Sequence, residues 1–461
     1  MSASARYAVD IFPTRHLHFG RCPCTPRTTG PVVPTILFMN ILYIHCHDAG
    51  RWVSPWSDFV ETPHLENFAA SGMLLEQAFC AAPTCSPSRG SLLTGRYPHQ
   101  NGLVGLTHRG FSMAERDRHL AVILRSNGWE TWVSGIQHEF ADESPQSGFP
   151  YQRLDGTYLP DQLQRDQQTT MAVENFFAKR PRQPFFLACG FALPHRIFPE
   201  PEPRDAWRGS LPDGLLPDTP EVRADFAAYR RAVREMDACA GRVFDALERS
   251  GLADKTAVVF TTDHGPAFPG MKGQCTDGGV GVAMAFRIPG LTRAGSSSDA
   301  LVSQIDFVPT LLELLELPVA DDLDGVSLLP LLGGGRDFVR EEVFAETNYH
   351  VSAEFTRMVR TRTHKLIRRF HPSGGTVVWP NIDPSPTKEA WRIADPPLRP
   401  LDKIELYDLQ KDPLEKYNLS NDPSLAATRN LMERKLDTWM RRTNDPLLEG
   451  LIPPPLGARL E

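Results

Sequence analysis

Runs of apolar residues that end in polar side chains recur along the chain, and they predict the strands of a sheet. Residues 36–44 have the sequence ILFMNILYI and lead directly into the polar cluster 45–48 and Gly50. A continuous apolar run that ends in polar residues and glycine is typical of a central parallel strand, which is buried on both faces and places a functional site at its carboxyl end. Further runs predict strands over 129–134, 184–191 and 256–265.

Apolar residues at helical spacing separate these strands. The clearest case is the segment 221–250, which stops at Gly251, a residue type favoured just after a helix. Helices are also predicted over 64–72, 114–126, 168–179 and 303–318. Because strands that alternate with helices form a mainly parallel sheet with helices on both faces, the pattern predicts an α/β fold.

The alternation of predicted strands and helices does not extend to the start of the chain. Residues 1–38 are basic and rich in Pro and Thr, and they show no sustained period. Met39 directly precedes Asn40, so it offers an alternative start within the first predicted strand. We therefore expect residues 1–38 to be an irregular extension that is not part of the working protein.

The strand–helix alternation also ends at the glycine-rich segment 333–335, which is typical of a hinge. Beyond it the chain predicts short strands over 359–370 and 403–410 and a charged amphipathic helix over 424–442. These elements predict two units: a catalytic domain over 39–335 and a smaller C-terminal α+β subdomain over 336–461.

Composition and charge narrow the function classes. The 461 residues include 49 Lys and Arg and 56 Asp and Glu, a formal charge of −7, which argues against a large nucleic-acid surface. The sequence has no uninterrupted run of about 18 apolar residues, so no membrane-spanning helix is expected. Eight cysteines are too few for a disulfide scaffold, and residues 32–44 lack a small-residue cleavage site. We expect a cytoplasmic protein with no nucleic-acid or membrane partner.

The strongest local motif is the string CSPSRGSLLTGR over residues 85–96. Pro87 favours the first turn of a helix, so Cys85 is predicted at the helix N-terminus. Free N–H groups and the helix dipole favour anions there and lower the pKa of a thiol. An isolated cysteine at such a position would be interpreted as a buried structural residue. The full string over residues 85–96 is what favours a chemical role for Cys85.

Two predicted strands end in pairs of metal-binding side chains. His47 and Asp48 follow the first strand, and Asp263 and His264 end the last. Carboxylates and imidazoles from separate strand ends of one sheet can converge on a divalent cation. Each pair alone also fits a turn-capping Asp beside a surface His, but together with Cys85 the two pairs predict a metal centre.

The string over residues 85–96 resembles the signature of the sulfatase family, Cys-x-Pro-Ser-Arg-x-x-x-Leu-Thr-Gly-Arg, at every specified position. The resemblance implies that a formylglycine-generating enzyme oxidises Cys85 to formylglycine, whose hydrate is the nucleophile. A geminal diol can attack sulfur with one hydroxyl and expel sulfate by re-forming the aldehyde, whereas a thiolate would be left as a stable S-sulfonate. Arg89 would hold the diol oxygens and the sulfate charge.

The same resemblance implies a metal site. In the family pattern the first strand ends in Asp-Asp and the later strand in Asp-His or Asp-Asn, so Asp48, Asp263 and His264 match as ligands. His47 stands where the pattern has the first Asp and is a candidate fourth ligand. Calcium is the ion that the family implies, and a His-rich site could shift the preference to manganese or another softer ion.

Three further residues resemble the sulfate pocket of the family. His195 belongs to a Pro-His pair after a predicted strand, and Lys272 lies eight residues past His264. His138 ends the string Gly-Ile-Gln-His, where many members have Gly-Lys-x-His, so Ile136 removes one cationic contact. The residues that could partly substitute for that contact are Arg109, Arg196 and Gln137.

Over about residues 40–450 the resemblance implies an alkaline-phosphatase-like α/β sandwich and the hydrolysis of a sulfate ester or sulfamate, with His195 or Lys272 protonating the leaving group. Several segments are most similar to heparan N-sulfatase (sulfamidase), which favours a small sulfated or N-sulfated sugar: 100–111, 263–273, 405–413 and 439–446. One alternative is a phosphonate monoester or phosphodiester hydrolase with a related signature. Another is a non-catalytic anion-binding relative that lost activity through the changes at His47 and Ile136.

Overall fold

The computed structural model describes residues 39–156, 159–209, 211, 216–370, 377–394 and 401–461. The expected N-terminal extension over 1–38 lies outside the described residues, as do the first three residues of the strand predicted over 36–44. The predicted boundary between residues 335 and 336 stays a prediction.

An eight-stranded sheet forms the centre of the fold. Its strands in chain order are β1 (Asn40–Cys46), β2 (Met73–Phe79), β3 (Glu130–Gly135), β4 (Gln152–Arg153), β5 (Phe185–Gly190), β6 (Thr256–Thr262), β7 (Gly281–Arg287) and β8 (Ser296–Ser303). The strand order across the sheet is β4-β3-β5-β1-β6-β7-β2-β8. Only β7 runs antiparallel to its neighbours, so the prediction of a mainly parallel sheet is confirmed.

β1 occupies the middle of the sheet because nearly all of its side chains are apolar and all are buried. Ile41 is in register with Phe186 of β5 on one side and with Ala257 of β6 on the other. Side chains alternate between the two faces, so Ile41 and Tyr43 enter one apolar core while Leu42 enters the other. The sheet is therefore covered on both sides, as the continuous apolar run predicted.

Helices cover the two faces of this sheet. The described helices are α1 (Pro63–Ala70), α2 (Cys85–Thr94), α3 (Pro98–Asn101), α4 (Leu120–Ser126), α5 (Gln162–Ala178), α6 (Pro220–Ser250), α7 (Asp277–Val280), α8 (Phe307–Leu314), α9 (Leu329–Leu332), α10 (Pro386–Ala394) and α11 (Ala426–Arg442). α6 begins where the Thr219 side chain accepts a hydrogen bond from the Val222 N–H, and it ends at Gly251, whose φ of 72° suits glycine. The helix predicted over 221–250 is thus confirmed almost residue for residue.

Other helix predictions were less accurate at their boundaries. The helix predicted over 114–126 contains a 3-10 turn at Arg116–Arg118, and the α-helix begins only at Leu120. The helix predicted to start at residue 168 starts instead at Gln162, where the Asp161 carboxylate caps it by accepting from the Gln164 N–H. The side chains of His119 and Asp161 cap the N-termini of these two helices. Because a cap fixes the residue at which a helix begins, the observed starts differ from the predicted ones.

A second, smaller sheet follows in the C-terminal part. Its antiparallel strands are β9 (Glu342–Tyr349), β10 (Ala353–Thr361), β11 (His364–Arg369) and β12 (Ile404–Asp408). The single strand predicted over 359–370 is wrong, because the chain turns at residues 362–363 and β10 pairs with β11 as a hairpin. The strand over 403–410 and the helix over 424–442 are confirmed, so the α+β character of this part is also confirmed.

Buried polar contacts join the small sheet to the rest of the fold. Arg357 on β10 donates to Asp445 at 2.5 and 2.9 Å, and Glu346 on β9 accepts from the His99 N–H at 2.9 Å. These side chains are buried and charge-paired, so removing one partner would leave an uncompensated charge inside the protein.

Within the described part of the chain, no helix combines the length and the apolar character needed to span a membrane.

Candidate active site

Four neighbouring parallel strands place their carboxyl ends at one edge of the large sheet. β1 is followed by His47 and Asp48, and β6 by Asp263 and His264. His195 lies in the loop after β5. The two predicted metal-binding pairs do converge, since the Asp48 N–H donates to Asp263 Oδ1 at 2.9 Å. An open α/β sheet places ligand sites at this edge.

α2 points its N-terminus at this cluster. Cys85 is the first residue of the helix, and its Sγ lies 3.4 Å from His264 Nε2. The Ser88 hydroxyl donates to the carbonyl of Asp263 at 2.6 Å, which fixes the first turn of the helix against the loop after β6. The prediction of Cys85 at a helix N-terminus is therefore confirmed, and its thiol contacts His264, one of the candidate metal ligands.

The expected lowering of the Cys85 thiol pKa is wrong. Cys85 is only 3% exposed, and this burial raises the pKa of its thiol well above the ordinary value. Lys272 opposes the shift but does not cancel it, and the carboxylates of Asp48 and Asp263 add to it. The cysteine is therefore a protonated thiol at neutral pH, so it is not an activated nucleophile in this form.

Asp263 is the most heavily hydrogen-bonded acid of the site. Its Oδ1 accepts from the N–H groups of Asp48 and His264 at 2.9 and 2.8 Å, and its Oδ2 accepts from Arg89 Nη2 at 2.9 Å. Burial opposes ionisation, but His264, Arg89 and His47 together hold the pKa of this carboxyl well below its usual range. Asp263 is thus a fixed negative charge at the centre of the cluster.

Asp48 is held in a left-handed backbone conformation, with a φ of 46°. Its Oδ2 accepts from Lys272 Nζ at 2.8 Å, and its Oδ1 lies 3.4 Å from His264 Nε2. Non-glycine residues adopt this conformation mainly where the surroundings enforce it, often at functional sites. The strained backbone of Asp48 directs its carboxylate toward His264, another candidate metal ligand.

The donor atoms fit a divalent cation. One atom each of His47, Asp48, Cys85 and Asp263 lies within 4.8 Å of the others, and His264 Nε2 is 3.5 Å from Asp263 Oδ2. Asp48 Oδ1 and His47 Nδ1 are buried without a protein hydrogen-bond partner. Buried polar atoms in native proteins are normally satisfied. The two carboxylates suit calcium or manganese, and the two imidazoles favour manganese or another ion softer than calcium.

Arg89 lies one turn into α2 and is buried. Its Nη2 donates to Asp263 Oδ2 and also, at 3.3 Å, to the carbonyl of Cys46, while Nη1 contacts His45 Nδ1. These contacts join the helix to the ends of both β1 and β6. The guanidinium therefore contributes positive charge under the cluster as well as a link between three elements.

Two further histidines lie close to His47. The His47 ring lies between them, with ring centroids 4.8 Å from His138 and 5.3 Å from His195. Burial and the charge of Arg89 lower the pKa of His138 well below its usual value, and its Nδ1 is buried without a partner. The His195 side chain is 34% exposed, and its Nε2 lies 4.0 Å from Asp48 Oδ2.

Each of the three residues proposed to replace the missing family Lys at Ile136 has protein partners in the structure. Gln137 uses both ends of its amide within its own turn, donating to Phe140 O and accepting from the Glu139 N–H. The two remaining candidates are held elsewhere: Arg196 forms a bidentate pair with Asp225, and Arg109 donates to Arg459 O. That one of them partly substitutes for the Lys stays a prediction.

The structure adds residues that the sequence patterns missed. Asp383 accepts from Lys272 Nζ at 2.9 Å, and His45 supports Arg89 from β1. His350 is buried, and burial together with Lys272 lowers its pKa to about 3. No local motif marks Asp383 or His350, but His45 belongs to the polar cluster that ends the first strand and could have been found there.

The fold and the family models together define the class. A mainly parallel sheet covered by helices, followed by a small antiparallel sheet, is the alkaline-phosphatase-like fold of solved sulfatase structures. The sulfatase family model matches residues 42–317, and the model of the N-sulphoglucosamine sulphohydrolase C-terminal region matches residues 275–384. The chain belongs to the sulfatase family.

Individual relatives agree with this membership. N-sulphoglucosamine sulphohydrolase of Homo sapiens is 29% identical to this chain, and the match covers 88% of this chain and 91% of the relative. BT4656, solved in complex with its substrate D-glucosamine-2-N,6-O-disulfate, superposes with a TM-score of 0.70 at 17% identity, covering 88% of this chain and 98% of that one. Phosphonate monoester hydrolase of Agrobacterium radiobacter superposes with a TM-score of 0.67 at 20% identity, covering 89% and 97%. At these low identities, the two superpositions establish the fold alone.

Proposed function

We propose that this protein hydrolyses the sulfate ester or sulfamate of a sulfated or N-sulfated sugar, using a nucleophile made from Cys85. The observation that carries the proposal is the position of Cys85 Sγ, 3.4 Å from His264 Nε2 at the N-terminus of α2 and within the Asp48–Asp263 cluster. A substrate sulfate at this point would meet helix N–H groups and the cations Arg89 and Lys272, which suits an anion.

Oxidation of Cys85 to formylglycine would supply a hydrated aldehyde as nucleophile in place of a thiol that burial keeps protonated. The surroundings of Cys85 support this role. Ser88 and Arg89 fix the first turn of α2 against Asp263, so the side chain at position 85 is held in one place relative to the carboxylates. Such preorganisation contributes to catalysis because the reacting groups need not be ordered during the reaction.

The residues proposed to hold one divalent ion are Asp48, Asp263 and His264, with His47 as the fourth ligand. The ion would polarise the sulfate and favour the ionised form of the nucleophile. Arg89 and the backbone N–H groups of residues 48 and 264 already fix the Asp263 carboxylate, so little reorganisation of the protein is needed for binding.

Lys272 and His195 are the proposed partners of the sulfate and of the leaving group. Burial opposes the charge of Lys272, but the neighbouring Asp383 and Asp48 hold the pKa of its ammonium well above the usual value, so it stays a cation. The His195 side chain is partly exposed, so solvent reaches its ring. A sugar oxygen or nitrogen departs poorly unless a proton is supplied, which gives His195 or Lys272 the role of general acid.

The names of the relatives support a sugar substrate. The human relative is an N-sulphoglucosamine sulphohydrolase, and BT4656 carries a sulfated glucosamine as its substrate. The match of residues 275–384 to the C-terminal model of N-sulphoglucosamine sulphohydrolases favours the N-sulfated class. A cytoplasmic location and maturation by a formylglycine-generating enzyme stay predictions.

The test combines maturation with turnover. Mass spectrometry of the peptide containing Cys85 measures conversion to formylglycine, and sulfate release is followed from N-sulfoglucosamine, a 6-O-sulfated hexosamine and nitrophenyl sulfate under the same metal. We expect conversion and a higher kcat/KM on at least one sugar than on the aryl ester. A preference for an aryl phosphonate monoester would assign the protein to the phosphonate hydrolases instead. No turnover of any of these sulfate esters, the sulfamate or the phosphonate by converted, metal-loaded protein would favour the non-catalytic alternative.

A further inference from the structure

Lys272 lies between two carboxylates that come from distant parts of the chain. Its Nζ donates to Asp48 Oδ2 at 2.8 Å and to Asp383 Oδ2 at 2.9 Å. Lys272 is 5% exposed, and the Asp383 side chain is 19% exposed. The ammonium is therefore shared between a proposed metal ligand and an acid of the C-terminal part, in surroundings where water screens the charges only weakly.

The segment that carries Asp383 is fastened beside the Lys272 loop. Asn381 Oδ1 accepts from the N–H groups of residues 351 and 352 at 3.0 and 2.7 Å. Its Nδ2 donates to Glu354 Oε2 at 3.0 Å, and the other oxygen of Glu354 accepts from Gln274 Nε2 at 2.8 Å. Asn381 lies two residues before Asp383, and Gln274 lies two residues after Lys272. The side-chain amides of both therefore bind Glu354, which holds the two segments side by side.

We propose that Asp383 is a positioning residue of the sulfatase site, which holds the Lys272 ammonium toward the substrate sulfate. An ammonium between two carboxylates takes a position set by both, so neutralising Asp383 would leave Asp48 as its only carboxylate partner. Lys272 would then move toward the metal-binding carboxylate and away from the space in front of Cys85. This inference rests on the proposed function, because it assigns Lys272 to the sulfate.

The test uses the Asp383→Asn variant of the full chain. Asparagine keeps the shape and one acceptor oxygen but loses the charge, so the fold should be retained. We expect kcat/KM for sulfate release to fall by about 10- to 100-fold, the range seen when a residue that orients a functional side chain is removed. The matched control is Asp437→Asn, which removes a carboxylate that pairs with Arg368 at 2.7 Å in the same C-terminal part.

Two further measurements separate positioning from a structural role. In a Lys272→Met background, Asp383→Asn should have almost no further effect on kcat/KM, because the two residues act as one unit. Asp383→Glu should restore part of the loss, since it returns the charge. Wild-type kcat/KM in Asp383→Asn, or a full additional loss in the Lys272→Met background, would overturn the proposal.

Measuring the binding of inorganic sulfate separates the test of Asp383 from the test of the proposed function. Calorimetry of the metal-loaded protein needs no turnover, and Asp383→Asn should weaken sulfate binding by about 10-fold or more while Asp437→Asn leaves it unchanged. If the wild type binds sulfate but hydrolyses neither sulfate esters nor sulfamates, the proposed function fails while the role of Asp383 is still measured. Equal sulfate affinity in Asp383→Asn and the wild type would reject that role. If Asp383→Asn does not fold, Asn381→Ala moves the same segment without changing its charge and should give the same loss.

Discussion

Arg89 Nη2 lies 2.9 Å from Asp263 Oδ2, and this contact joins the helix of Cys85 to the proposed metal-binding loop after β6. The two residues are 174 positions apart in the sequence, and both are almost fully buried. Buried opposite charges depend on each other, because either one alone would be uncompensated inside the protein. The pair therefore links the stability of the fold to the geometry of the site.

Replacing Arg89 should be costly to stability. In Arg89→Met the Asp263 charge stays buried without its main partner, so we expect the free energy of unfolding to fall by about 3–5 kcal/mol. Urea denaturation of the metal-free protein measures this loss. Arg362→Met is the control, since Arg362 pairs with Asp299 on the surface and should cost less than about 1 kcal/mol. Equal losses in the two variants would contradict the importance of the buried pair.

Cys85→Ala should remove activity and leave the fold intact. The substitution deletes only the proposed nucleophile, so we expect sulfate release to fall by more than about 1000-fold with a change in stability of no more than about 2 kcal/mol. Kinetic assays and thermal unfolding measure the two effects. Cys239→Ala is the matched control, because Cys239 is a buried cysteine of α6 outside the site and its loss should leave kcat unchanged. Activity retained in Cys85→Ala would reject the assignment.

The metal is expected to depend on the two carboxylates. Asp48→Asn should lower the bound metal below about half an ion per chain and reduce sulfate release by about 100-fold or more. Elemental analysis and kinetics of the same preparation measure both effects, with the exposed Asp299→Asn as control. His47→Ala decides the fourth ligand: retention of metal and rate would make His47 only a neighbour of the site. Metal-free wild-type protein with full activity would contradict the whole metal assignment.

His119 should make the protein less stable in acid. Burial lowers the pKa of His119 to about 3, whereas in the unfolded chain it is about 6.5. Between these values the unfolded state binds a proton that the native state does not, so stability falls as pH drops below about 6.5, by about 3 kcal/mol at pH 4.5. His119→Asn retains an acceptor for the Ala121 N–H but does not titrate, so its loss between pH 7 and pH 4.5 should be smaller by that amount. The free energy of unfolding of both proteins is measured by urea denaturation at several pH values. An equal loss in the two proteins between pH 7 and pH 4.5 would show that His119 does not titrate as expected.

The leaving group should reveal the proton donor. His195→Ala is expected to reduce kcat/KM on N-sulfoglucosamine at least about 10-fold more than on nitrophenyl sulfate, because a nitrophenolate departs without a proton whereas a sugar nitrogen does not. His364→Ala, which changes a histidine of β11 outside the site, is the control. If both substrates lose activity equally, His195 acts on binding or structure, and Lys272 becomes the candidate acid.

Four of the eight strands of the central sheet and the cluster at its edge were predicted from the sequence, whereas β2, β4, β7 and β8 were not. β1, β5 and β6 are mostly apolar runs, and the sheet rule then places the residues after them at one edge. β8 was missed because it begins with SSSD and half of its residues are not buried, so it lacks such a run. The hairpin of β10 and β11 was predicted as one strand because strand-like residues continue through its tight turn.

The electrostatics of the site could not be predicted in the same way. Burial, which only the folded chain determines, reverses the expected direction of the Cys85 pKa. Asp383 lies 111 positions from Lys272, in a segment without any catalytic motif, so its contact depends on how the C-terminal part packs. The positions of Arg196 and Arg109 likewise follow from partners that local sequence does not indicate.

The shielding of Cys85 also sets an order of events during synthesis. Its neighbour His264 is 179 positions later in the sequence, and the Ser88 and Arg89 contacts use Asp263 of the same loop. Translation proceeds at about 5–20 residues per second, so roughly 10 to 35 s pass between the emergence of Cys85 and that of the residues that cover it. An enzyme that carries out the proposed oxidation of Cys85 would have to reach the thiol within that interval or soon after it. The speed of translation relative to that of folding would then decide what fraction of the molecules becomes active.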